Sequence, residues 1–383
     1  MAYDSSIHIV SARRTPIGRL NGSLKKFSAP KLAGSVADVT VPNGIRDFVD
    51  QVILGQVLQA GSGMNTARQV GLNLGIPQTA SAFTINMVCG SGLKAVALGA
   101  DAITKGEANL VLAGGVESMS NAPHYAMEVR GGKKLGDSTM RDAILADGLS
   151  DPFLKQEMGE IAGELSKDYP ISRDEQDEFA LRSQLRAKEA RKAFVREIAK
   201  VDDIQADEHP RPDTTLEKLQ SLTPAFEKTG TITAGNASGV NDGAATVLLA
   251  SDKALLNHSL ESRARIIGSS VIGCEPSRFG LGPVGAVKTL CKQIGWDLAK
   301  VDIVEINEAF ALQTLACARE LRLSNEQLNP RGGAIALGHP IGASGARILV
   351  TILHLLEDTN AKRGIATLCV GGGMGIAMAI ERS

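Results

Sequence analysis

The chain has 383 residues, enough for two or three domain-sized units around a large core, and its 43% hydrophobic and 22% charged residues exclude a disordered or fibrous chain. A formal net charge of −1, without a block of like charges, excludes a nucleic-acid arm or an acidic tail. Aromatic residues make up only 3%, too few for stacking platforms along a single strand of nucleic acid.

From the N-terminus, the stretch MAYDSSIHIVSARRTP lacks the apolar core of a signal peptide, and Asp4 does not suit an acid-poor transit peptide, so a cytoplasmic protein is expected. No uninterrupted apolar run reaches the roughly 18 residues of a membrane span, so no membrane association is expected. Residues 50–55 read as a short buried strand and residues 82–85 as another. A Gly-rich turn, 86–92, then opens a helix on which Leu93, Val96, Ala97, Ala100 and Ile103 recur at helical spacing. Residues 110–115 form a strand that ends in a glycine turn.

From about 119 to 247 the composition changes, with Gly131-Gly132-Lys133-Lys134 and Pro210-Arg211-Pro212, and an inserted segment is expected. Within it, Ser172 and Glu175 fit a capping box before a charged helix running toward Phe194, read as a solvated face. Beyond it, residues 302–307 read as a strand, 338–345 as a second Gly-rich turn, and Ile348, Leu349, Ile352, Leu353 and Leu356 as one helix face. A last strand runs into the turn at Gly371-Gly372.

The late elements repeat the early ones. Residues 50–55 resemble 302–307 at an offset of 252, residues 91–94 resemble 344–347 at 253, and residues 110–115 resemble 367–372 at 257. Two strand-turn-helix-strand halves with near-continuous apolar strands predict a layered α/β body, its parallel or mixed sheets covered by helices on both faces. The expected division is residues 1–118 for the first half, 119–247 for the inserted loop domain, whose ends contribute to the first half, and 248–383 for the second half.

Five scattered cysteines contain no C-x-x-C pair, so reduced thiols and no metal site are expected. Cys89 lies in the turn before the first repeated helix, where free backbone N–H groups and the helix dipole favour a thiolate. A buried, inert cysteine is the plainer reading. Cys89 outweighs it because Cys369 precedes Gly371-Gly372-Gly373 at what reads as the equivalent strand end of the other half. His339, between Gly338 and Pro340 in the second Gly-rich turn, is a candidate base or hydrogen-bond donor. His8, His124, His209, His258 and His354 lack such settings. Asn307-Glu308-Ala309-Phe310 ends a buried strand with polar groups, for which function and helix capping weigh equally.

Taken together, residues 86–92, 307–310, 332–345 and 369–373 closely resemble the thiolases, and further similarity runs through 11–16, 114–119 and 233–245, covering essentially the whole chain. The resemblance implies the thiolase fold, two pseudo-symmetric α/β halves in a five-layered body with an inserted loop domain that holds coenzyme A. It implies acetyl-CoA C-acetyltransferase activity, joining two acetyl-CoA to acetoacetyl-CoA and CoA, and the reverse thiolysis. On that pattern Cys89 is acylated, His339 activates it, Cys369 is the second acid/base, and Asn307 holds a water beside His339 facing an enolate oxygen. The backbone N–H groups of Cys89 and Gly371 face the acyl oxygen. Arg211, Ser238, Ala234, Phe226, Met158 and Phe310 correspond to coenzyme A contacts. Coenzyme A thioesters are substrates, and no cofactor is expected.

Departures from the pattern are Glu157, where many thiolases have histidine, and apparently shortened stretches at 191–207 and 36–47. A homo-oligomer, dimer or tetramer, is implied. The alternatives are a 3-ketoacyl-CoA thiolase for longer chains, a condensing enzyme of fatty-acid or polyketide synthesis (which should lack the second cysteine, Cys369), an inactive acyl-CoA binding protein, and a nicotinamide oxidoreductase. The last lacks a convincing G-x-G-x-x-G after a strand.

Overall fold

The computed structural model describes residues 2–3 and 6–383. In the first half, β1 (Ile7–Arg14), α1 (Ala29–Thr40), β2 (Gln51–Gly55), α2 (Thr66–Asn73), β3 (Ser81–Ile85), α3 (Ser91–Thr104) and β4 (Leu110–Ser118) precede an insertion. The insertion contains the long helix α4 (Arg173–Phe194), and the chain returns as β5 (Asn241–Ser251). The second half holds β6 (Ala264–Gly273), α5 (Gly282–Ile294), β7 (Ile303–Ile306), α6 (Ala311–Leu321), α7 (Ser344–Thr359), β8 (Arg363–Val370) and β9 (Met374–Arg382).

The strands run in the order β7-β8-β9-β6-β1-β5-β4-β2-β3. β2 lies parallel to β3 and β4, whereas β4, β5 and β1 pair antiparallel. The second half repeats this, with β7 parallel to β8, then β8, β9 and β6 antiparallel. Where the first half has β3, the second has one parallel bridge from Val304 to Leu328. The halves join where β1 meets β6 at two residue pairs.

Pairing register corrects one repeat. Gln51 sits opposite Val111 and Ile303 opposite Gly364, so Val111 corresponds to Gly364, an offset of 253, and the third repeat is aligned four residues from the expected 257. Cys369 therefore lies on the counterpart of β4, and not at a strand end equivalent to the one before Cys89.

Apolar periodicity decides the layers. α3 and α7 are buried between the two sheets, their Leu93, Val96, Ala100, Ile348, Leu349 and Leu353 forming one core with Val111, Val247, Leu368 and Met378. α1 and α2 cover the outer face of the first sheet through Leu32, Val36 and Val70, and α5 and α6 cover the second through Val287, Leu290 and Cys317. Five layers result. Gly92 and Gly345 sit where α3 and α7 cross: a Cβ on Gly345 would lie 2.5 Å from the Leu93 nitrogen. Small residues are required where backbones touch.

The expected boundary at 247/248 falls inside β5, a full member of the first sheet. α4 starts at its capping box, Ser172 Oγ accepting from the Glu175 N–H and Glu175 Oε2 from the Ser172 N–H. It is not merely a solvated face, because Phe179, Ala180, Ser183 and Ala187 are buried against the second half. No helix of the described residues is long and apolar enough to cross a membrane.

Candidate active site

Cys89 stands in a tight turn between β3 and α3. Val88, β-branched, adopts φ 45°, a left-handed conformation that costs about 1–3 kcal/mol outside glycine. Local bonds hold it there: the Val88 N–H donates to Asn86 Oδ1 (2.9 Å), the Met87 N–H to Ser91 Oγ (2.8 Å), and the Ser91 hydroxyl to the Val88 carbonyl (2.7 Å). The helix itself begins only at Ser91, after Gly90. The expected low thiol pKa is not found. Burial pushes Cys89 up to about 12, outweighing the backbone N–H groups of Gly371 and Cys89 directed at the sulfur, and the Glu117 carboxylate adds to the rise. At rest Cys89 is a neutral thiol flanked by two donors.

His339 lies in the corresponding turn before α7 and is buried. The Ser344 hydroxyl donates to the Pro340 carbonyl (2.9 Å), so it accepts from His339 Nδ1 (2.6 Å). That assigns the proton to Nδ1 and leaves the Nε2 lone pair facing Asn307 Nδ2 at 3.3 Å. Burial, helped by the Arg347 charge, lowers its pKa to about 3, so the ring is neutral and basic only toward a proton delivered inside the site. The loop is latched from outside, the His339 N–H donating to Asn241 Oδ1 (2.9 Å) and the Gly342 N–H to Glu117 Oε2 (2.9 Å).

Asn307 does not cap a helix. α6 begins at Ala311 with Phe310 as its cap residue, and buried Asn307 keeps Oδ1 without a partner among the described residues, its Nδ2 beside His339. Glu308 does not serve the helix dipole either, because it accepts from Ser183 Oγ, Asn329 Nδ2 and the Ile335 N–H, bracing α4 against the second half.

Cys89, His339 and Cys369 line one cavity of about 280 Å³ with Met119, Leu149, Met158, Phe226, Ser238, Phe310 and Ile341. Cys369 is buried at the end of β8, its thiol held far above the ordinary range first by burial and then by the neighbouring Cys89. Gly371 is not among the glycines with positive φ, and a Cβ there would stand 3.3 Å from Met158 Sδ. Turn geometry therefore does not require glycine at 371, and a side chain there would press on Met158 and Val88 at the cavity.

The expected coenzyme A contacts divide. Met158, Phe226, Ser238 and Phe310 wall the cavity, with the Phe226 and Phe310 rings edge to face at 6.1 Å. Ala234 is exposed, and Arg211 lines a separate hollow of about 250 Å³ with Pro212, Thr214, Lys218 and Leu222. Glu157, exposed at the cavity rim, precedes the short helix Met158–Gly163 and donates its N–H to Glu160 Oε2. Missed from sequence were Glu117, Asn241, Ser344, Met119 and Ile341. Each lies inside or beside a motif already noted, yet no local pattern marks Glu117 and Asn241 as side chains that bond backbone far away in the chain, or Met119 and Ile341 as walls of a cavity.

Two thiols, a neutral imidazole and paired backbone donors around one cavity define the apparatus of covalent acyl transfer. Comparison with known proteins agrees. Residues 7–253 match the thiolase N-terminal domain model and residues 260–382 the thiolase C-terminal domain model. An acetyl-CoA acetyltransferase of Chromobacterium violaceum is 48% identical over 98% of this chain and 99% of its own. A cytosolic acetyl-CoA acetyltransferase of Rattus norvegicus is 45% identical over 100% and 99%. Human mitochondrial 3-ketoacyl-CoA thiolase, solved in complex with CoA, superposes with a TM-score of 0.97 at 44% identity over 100% and 99% of the two chains. The acetyl-CoA acetyltransferase of Bacillus anthracis does so at 0.96 and 41%, over the whole of both chains. The chain belongs to the thiolase family and is an acyltransferase.

Proposed function

We propose that this protein is an acetyl-CoA C-acetyltransferase that condenses two acetyl-CoA to acetoacetyl-CoA and CoA, and runs the reverse thiolysis, through an acetyl-Cys89 intermediate. The observation that carries the reading is the convergence of Cys89, His339 and Cys369 on one cavity. Relatives named acetyl-CoA acetyltransferase, at 44–48% identity, support the two-carbon acyl group.

Cys89 passes its proton to His339 Nε2 as sulfur attacks the thioester carbon, and the oxyanion accepts from the N–H groups of Cys89 and Gly371. The carbon–sulfur bond to CoA breaks, and the departing thiolate takes the Cys369 proton. The imidazolium and the Cys369 thiolate, each costly alone in this dry site, thus form as a pair. The thiolate then removes a methyl proton from the second acetyl-CoA, whose enolate oxygen meets protonated His339 and the Asn307 side. The enolate carbon attacks the acetyl group, the bond to Cys89 breaks, and His339 returns the proton to Cys89. Every proton is back where it began. Arg211, Ser238, Ala234, Phe226, Met158 and Phe310 hold coenzyme A, no cofactor takes part, and the enzyme works as a cytoplasmic dimer or tetramer.

Mass spectrometry after mixing with acetyl-CoA tests this: one acetyl group on Cys89 is expected, and acetylation elsewhere or not at all refutes it. A second reading, thiolysis of longer 3-ketoacyl-CoA, is favoured by the likeness to the human mitochondrial enzyme. Rates with four-, six- and eight-carbon 3-ketoacyl-CoA separate the two.

A further inference from the structure

Glu117, near the end of β4, is fully buried, and three backbone N–H groups rather than a cation take up its carboxylate. Leu58 donates to Oε1 (3.0 Å), and Val57 (3.0 Å) and Gly342 (2.9 Å) donate to Oε2. These donors come from two places that meet at the acyl end of the cavity. Val57 and Leu58 follow β2 and pack in one apolar cluster with Met119, Ile341 and Cys89. Gly342 belongs to the loop of the second half that carries His339, two residues before the Ser344 that holds the ring. The fit is close: a Cβ on Gly342 would lie 2.7 Å from Glu117 Oε2 and 2.6 Å from the Val116 carbonyl.

The pseudo-symmetry supplies a control. By the sheet register Glu117 corresponds to Val370, an apolar residue, so the fold does not itself require an acid at this point. Burying a carboxylate costs several kcal/mol unless its bonds offset it. The acid occurs only in the half that carries Cys89.

We propose that Glu117 is a positioning residue that clamps the His339 loop against the Val57–Leu58 wall, setting the distance between base and nucleophile and the room left for the acyl chain between Met119 and Ile341. Loosening the clamp displaces His339 and widens the acyl end together.

This inference rests on the thiolase reading, so the test separates the two. Thiolysis of four- and six-carbon 3-ketoacyl-CoA is compared in the unaltered enzyme and in Glu117→Gln, with rates per active site counted by acetylation of Cys89. In the variant, kcat with the four-carbon substrate should fall roughly 10- to 100-fold, the loss expected of a misplacement of about 1 Å. KM for CoA should stay within about twofold, because its contacts lie elsewhere, and the six-to-four-carbon rate ratio should rise at least about fivefold. A variant with fewer acetylatable sites but unchanged per-site kcat and ratio would overturn the proposal. Absence of acetyl-Cys89 in the unaltered enzyme would instead sink the underlying reading. If Glu117→Gln does not fold, Glu117→Asp keeps the charge and withdraws it by one methylene. It should shift the ratio in the same direction, and an unmoved ratio overturns the clamp.

Discussion

The Cys89 turn and the His339 loop occupy matching places, each leading into a helix of the central layer, yet they are built in opposite ways. The Cys89 turn is closed on itself: Asn86, Met87, Val88 and Ser91 supply all the bonds that hold Val88 at φ 45°. Cys89 keeps some solvent contact, and its thiol, set among packed neighbours, is reached through the cavity it lines. The His339 loop is buried and held by residues of other segments, Asn241 on β5 and Glu117 on β4. A nucleophile needs presentation, which a short strained turn can supply locally. A base that must stay neutral and fixed needs a dry setting, which only packed neighbours provide.

The largest expected effect falls on the locally built side. Cys89→Ser keeps the turn but removes the thiol, and thiolysis should drop at least about a thousandfold. A residual rate within tenfold of the original would show that the turn does not carry the chemistry. Cys369→Ala should still take an acetyl group on Cys89 in the mass spectrum, more slowly because the departing CoA thiolate loses its proton donor, while condensation falls by about a thousandfold, within the range of one acid/base group. Normal condensation would remove Cys369 from the comparison.

On the remotely held side, Asn241→Ala removes the latch on the His339 N–H. It should lower kcat about 10- to 100-fold and stability by roughly 1–3 kcal/mol, the cost of stranding buried donors and acceptors, measured by urea unfolding. Unchanged kcat would mean that the loop holds itself. The pH dependence of alkylation examines the exposed turn: with Cys89 pushed up to about 12, the thiol is neutral throughout the accessible range. Its thiolate fraction, and with it the rate of inactivation of His339→Asn by iodoacetamide, where no base takes the proton, should rise about tenfold per pH unit from pH 7 to 10. A plateau below pH 9 would show a thiol already ionised. The smallest effect is Val88→Gly, where relief of left-handed strain offsets lost packing, leaving stability within about 1 kcal/mol. A loss above about 3 kcal/mol would show that Val88 is held by packing more than by the turn.

Much of this site was legible in the chain. Cys89, His339, Cys369 and Asn307 stood out because strand ends and glycine turns are short-range features, and the duplicated halves predicted that two such turns would meet. Strands β2, β3 and β7, the capping box of α4 and the start of both central helices follow from residues within a few positions of one another. Register within the third repeat was misjudged by four residues, since two Gly-rich strand ends resemble each other whichever way they are slid, and only hydrogen-bond pairing decides between them.

What the tertiary structure alone decided is the state of the reacting groups and what holds them. The turn suggested a stabilised thiolate, but burial, a sum over distant neighbours, made Cys89 a neutral thiol and His339 a neutral base. Glu117 and Asn241 carried no local signal, for their partners lie about 30 to 225 residues away and are mostly backbone groups that any sequence would offer. Local geometry is written in neighbouring residues, whereas desolvation and long-range hydrogen bonds exist only once the two halves have closed on each other.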